Sequence, residues 1–117
     1  MPRRAAALLA VALTATAVAA IAPSALGRSQ AKATVTATDF KFKVIPARVT
    51  AGVATFTVIN RGEATHDFKI AGKKTKILNP GQRATLKVTL RKGKRYPYLC
   101  TVPGHAALGM KGTVTVR

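Results

Sequence analysis

The strongest constraint on the fold of this chain is a period of two. From Val53 to Asn60, Ala54, Phe56 and Val58 fall on one face of an extended segment and Thr55 and Thr57 on the other. Successive side chains of a strand point to opposite faces, so such a segment covers a core on one side and meets water on the other. The period recurs in Phe40, Phe42 and Val44 with lysines between them, and in Ala84, Leu86, Val88 and Leu90. It returns in Tyr96, Tyr98 and Cys100, where Pro97 marks an irregularity or an edge, and in the closing run Lys111–Arg117. Turn chemistry separates the runs: Val49-Thr50-Ala51-Gly52, Asn60-Arg61-Gly62-Glu63, the Pro80-Gly81 pair, and the charged hairpin-type connection Arg91-Lys92-Gly93-Lys94-Arg95. About seven short strands and no helical period predict an all-β domain, an antiparallel Greek-key β-sandwich or barrel.

The 117 residues have room for one domain. Met1-Pro2-Arg3-Arg4, the apolar block Ala5–Ala22 and Pro23-Ser24 have the basic, apolar and small-residue parts of a secretory signal. Cleavage after Gly27 would leave residues 28–117 as the domain. Left uncut, the block is at the lower length limit for a membrane anchor. Both readings place the domain outside the cytoplasm, in the periplasm, the extracellular space or on the outer face of the membrane.

Export makes cysteine usage informative. Oxidising compartments pair cysteines, yet Cys100 is the only one in the chain. A lone thiol there needs burial, a second chain or a metal. Two further soft ligands follow it closely, His105 five residues on and Met110 ten residues on, and His66 is the one other histidine. That coincidence has a chance on the order of a few in ten thousand for this one spacing, and about a few in a thousand once roughly ten spacings are allowed. Two imidazoles, a thiolate and a thioether suit copper, because sulfur stabilises Cu(I) while nitrogen keeps Cu(II) accessible. Structural zinc sites of short chains usually carry two or more cysteines. His66, at the start of the Thr65–Ile70 strand beside the Asn60–Glu63 turn, can reach the sheet end where Cys100 and Met110 lie. One copper ion held by His66, Cys100, His105 and Met110 is the expectation.

The Asn60-Arg61-Gly62 turn with His66, the run Tyr98-Leu99-Cys100 and the segment Gly109-Met110-Lys111-Gly112-Thr113-Val114 together resemble the cupredoxins, the small blue copper proteins that include plastocyanin and azurin. The resemblance covers nearly the whole domain. It implies that His66, Cys100 and His105 are strong equatorial ligands and Met110 the weak axial one. It also implies that electrons pass through His105, and that Pro103, Ala106, Ala107 and Leu108 form an apolar rim that docks a redox partner. The Cys100–His105 spacing is like azurin's, whereas the His105–Met110 spacing is like plastocyanin's.

The function expected is transport of single electrons without catalysis. With three acids in all, no Ser-His-Asp set and no glycine-rich phosphate loop, nothing else in the sequence suggests an active site. The alternatives are a copper storage or delivery protein and a basic adhesion or membrane-surface domain whose ligands are coincidental. Beyond Gly27, eighteen lysines and arginines face three acids, a net charge of +15. Such a field attracts an acidic redox partner or an anionic membrane surface. Nucleic acid is disfavoured, because Trp is absent and the six Tyr and Phe residues fall mostly in strands that bury them. A monomer is expected.

Overall fold

A computed structural model describes residues 30–117, together with the isolated positions 10, 12, 14 and 15. The signal expected over residues 1–27 lies outside the described residues apart from those four positions. No helix among the described residues is long and apolar enough to cross a membrane.

The strands are β1 (Ala31–Thr38), β2 (Lys41–Ile45), β3 (Arg48–Val49), β4 (Gly52–Asn60), β5 (Lys69–Ile70), β6 (Lys73–Lys74), β7 (Arg83–Leu90), β8 (Arg95–Leu99) and β9 (Lys111–Val116). They form two sheets, ordered β2-β1-β4-β7 and β3-β9-β8-β5-β6. The all-β sandwich is as expected, with nine strands among the described residues in place of about seven. The surplus is β3 and β6, each two residues long and too short for alternation to be visible in the sequence.

The expectation of purely antiparallel pairing is corrected, since β1 runs parallel to β4 and β3 parallel to β9. After β1 the chain turns at Asp39-Phe40, and β2 and then β3 carry it back to the pole from which β1 set out. β4 therefore begins beside the start of β1, with Ala31 opposite Ala54. The Arg91–Arg95 segment is also not a hairpin: β7 and β8 belong to different sheets, so it crosses the sandwich edge. Pro97 pairs with Thr113 of β9 and lies beyond the Tyr98 and Leu99 positions matched to β5, which suits a residue without an N–H to donate.

The inward faces follow the alternation. Ala54, Phe56 and Val58 are buried, as are Val88 and Leu90, while Ala84 and Leu86 are half-buried. Phe68 is central, with Phe42 edge-on at 5.3 Å and Phe56 tilted at 5.6 Å between ring centroids. The ends of β1, β4 and β8 and the start of β9 meet at one pole, and the ligand-type residues gather there.

Candidate metal centre

Each of the four sequence-selected residues reaches this pole by a different local device. His66 precedes the strand expected to contain it, since only Lys69–Ile70 joins the ladder. Its backbone is instead fixed by a bridge to Leu78, with N–H···O distances of 3.1 and 2.7 Å. Asn60, buried at the end of β4, secures the same region. Its Nδ2 donates to the Ala64 and Leu78 carbonyls at 2.9 Å each, and its Oδ1 accepts the Gly62 N–H at 2.8 Å. His66, Phe68 and Ile70 are all buried, and so is Asp67 between them.

Cys100 follows β8 directly, and its N–H donates to the Met110 carbonyl at 3.0 Å. The loop between them is folded on itself. The Met110 N–H donates to the His105 carbonyl at 3.2 Å, and Ala106–Leu108 form a short 3-10 turn beginning at His105. Gly109 ends that turn at φ 116°, a left-handed conformation that favours glycine.

Three donor atoms converge. His66 Nδ1 and His105 Nδ1 are 3.1 Å apart, and Cys100 Sγ lies 4.0 Å from the first and 3.7 Å from the second. His66, Cys100 and His105 are the one group of metal-ligand type found among the described residues, with ligand atoms all within 4.8 Å of one another. Their chemistry, two imidazole nitrogens and one thiol sulfur, fits a single copper ion. Met110 is fully buried and packs in one small cluster with Cys100 and Ala37, flanked by Phe40, Phe42 and Val102. His66 and Cys100 are buried, whereas His105 is half-buried.

Two acids that the sequence presented only as charges prove to be parts of the site. Asp39, in the turn after β1, accepts the His66 Nε2–H at 2.7 Å. A carboxylate can only accept, so the proton is on Nε2 and the Nδ1 lone pair faces the cluster. Asp39 also accepts the Glu63 N–H at 2.9 Å and the Ala64 N–H at 3.2 Å. The Glu63 N–H first, and then His66, hold its carboxyl below the ordinary value. Asp67 is fully buried and accepts the Thr101 N–H at 2.6 Å and the Thr101 hydroxyl. It thereby ties the His66 segment to the residue after Cys100. Burial pushes the Cys100 thiol up, and the Asp67 and Val102 backbone N–H groups oppose that rise by favouring the thiolate.

Phe40, expected within a strand, sits in the turn instead. Its ring packs on both imidazoles, with centroids 4.8 Å from His105 and 6.2 Å from His66. Around His105, Pro103 and Ala107 are exposed, Ala106 is half-buried, and Leu108 is 64% exposed.

By sequence, no match was found among curated proteins. Among solved structures, the reduced auracyanin of Roseiflexus castenholzii is 22% identical with a TM-score of 0.63, covering 74% of this chain and 96% of its own. An azurin of Methylomonas sp. strain J is 19% identical with a TM-score of 0.62, covering 74% and 97%. Auracyanin A of Chloroflexus aurantiacus, described as a blue copper protein, is 18% identical with a TM-score of 0.63, covering 76% and 100%. At these identities the likeness speaks to the fold. The profile of the copper binding proteins of the plastocyanin/azurin family matches residues 29–117, and to that family, the cupredoxins, the chain belongs.

Proposed function

We propose that this is an exported type 1 copper protein that carries single electrons, with His66, Cys100 and His105 as strong ligands and Met110 as a weak axial one. The observation that carries the reading is the convergence of two Nδ1 atoms and one Sγ within 4.8 Å, on a family background of copper binding. Bound copper would supply a one-electron couple, Cu(I)/Cu(II), that this mixed nitrogen and sulfur set leaves accessible in both states.

The chain's own residues do the rest. Asp39 fixes the His66 tautomer, the Asp67–Thr101 bonds fix the segment around Cys100, and the surrounding sandwich resists rearrangement when charge changes. Met110 supports the axial role by its complete burial beside Cys100. Half-exposed His105 is the edge through which electrons pass, and Pro103, Ala106, Ala107 and Leu108 form the apolar rim that a redox partner covers. An acidic partner suits the cationic surface. The protein works outside the cytoplasm as a monomer and catalyses nothing itself.

The purified copper form tests this. Its oxidised state should be intensely coloured by thiolate-to-copper charge transfer, should bleach reversibly with a mild reductant, and should lose the colour in Cys100→Ser. A colourless Cu(II) form, or loss of metal on reduction, overturns the carrier reading in favour of storage or delivery. Unchanged copper content in Cys100→Ser overturns the site itself and favours the basic adhesion or membrane-surface alternative.

A further inference from the structure

Net charge is uneven along the sandwich, and topology is the cause. At the copper pole the exposed cations Lys41, Arg61, Arg83 and Lys111 are offset in part by all three acids of the chain: Asp39 on His66, Glu63 in the adjoining turn and Asp67 next to His66. The opposite pole holds the ends of β3, β7 and β9 and the starts of β4 and β8. There Arg48, Arg91, Lys92, Lys94, Arg95 and Arg117 are all exposed. They are gathered by backbone bonds rather than by sequence. The Arg117 N–H donates to the Val49 carbonyl and the Ala51 N–H to the Arg117 carbonyl, both at 3.0 Å. The Gly93 N–H donates to the Val116 carbonyl at 3.0 Å, and the Val116 N–H to the Lys94 carbonyl at 3.1 Å. Arg48 and Arg95 both stand opposite Thr115 of β9. The nine residues of β4 separate this pole from the metal centre by roughly 26 Å, at the usual rise of a strand.

Two more features belong to the same end. β1 begins there, so the chain preceding Gln30, with its apolar run Ala5–Ala22, joins the domain at this pole. One aliphatic side chain borders it, Val53, 42% exposed at the start of β4.

We propose that this cationic pole is a binding surface for anionic lipid headgroups, and that it seats the domain on a membrane with the copper pole turned away. A bilayer interface offers what the pole complements, a plane of negative charge over an apolar layer that can receive Val53. Nucleic acid would find no exposed aromatic ring at this pole to stack on, since Tyr96 is half-buried. A protein partner would find cations arranged around a strand end rather than around a packed apolar centre. The inference stands apart from the copper assignment, because the cluster is built without any of the four ligand-type residues.

Two variants of equal charge loss test it on the exported protein as purified. One replaces Arg91, Lys92, Lys94 and Arg95 with Gln. The other replaces the exposed Lys69, Lys73, Lys74 and Lys76 with Gln, on the β5–β6 side. Circular dichroism verifies that both fold, and co-sedimentation is measured with vesicles of phosphatidylcholine, alone or mixed with phosphatidylglycerol. The parent protein should bind the mixed vesicles and not the neutral ones. The pole variant should bind more weakly by roughly fivefold per cation removed, and the β5–β6 variant much less so. Equal losses in the two variants, binding indifferent to phosphatidylglycerol, or a pole variant that binds like the parent overturns the proposal. A pole variant that loses only its affinity for an acidic protein assigns the surface to a protein partner and overturns it equally.

Discussion

Asp39 has the most work per atom in this protein. One carboxylate orients an imidazole and also receives two backbone N–H groups from the turn after β4. Removing its charge while keeping an acceptor, as in Asp39→Asn, should raise the copper reduction potential, because a nearby negative charge favours the more positive metal; voltammetry reads the shift. Asp39→Ala removes the hydrogen bond as well, and copper affinity should fall about tenfold or more, as measured by competition with a chelator. Nothing in the sequence discloses this role. Asp39 and His66 are 27 positions apart, and the alternation around Phe40 reads as continuous strand. The four ligand-type residues were legible for the opposite reason: in a chain with one cysteine and two histidines, scarcity itself is a signal. Asp67 was hidden because a buried acid breaks the period of its segment, and only its contact with Thr101 explains why burial is tolerated.

Among the elements, the Asn60–Glu63 turn shows how sheet ends become a site. Gly62 faces the Asp39–His66 pair so closely that a Cβ there would overlap Asp39 Oδ1 and stand 2.9 Å from His66 Nε2. Gly62→Ala should therefore cost about 1–3 kcal/mol of stability and also alter the colour of the copper form. Chemical unfolding and the visible spectrum separate the two effects, and a variant with full parental colour would refute the close approach. The turn was visible in the sequence as Asn-Arg-Gly, and so were the long strands β4, β7 and β9. What the sequence withheld was pairing. The parallel contact of β1 with β4 depends on β2 and β3 returning the chain to its starting pole, and a two-residue strand such as β3 has no period of its own to announce it.

At the scale of the whole molecule, two sheets hold the site through a core centred on Phe56 and Phe68. Phe56 is completely buried, and Phe56→Ala should cost about 3–5 kcal/mol in urea unfolding of the copper-free protein. Long-range charge should govern encounter. The cationic surface predicts that reduction by an acidic partner slows as salt is raised, since the screening length falls to about 10 Å at 0.1 M. Stopped-flow rates over a salt series check this, and an indifferent rate would show that the charge has no part in encounter. The Cys100–Met110 segment is closed at its base by the Cys100 N–H to Met110 carbonyl bond, and its inner bonds run almost wholly within itself. A segment closed in this way is a cassette: lineages could lengthen, shorten or exchange it, and so change what docks at His105, while the sandwich beneath stays as it is.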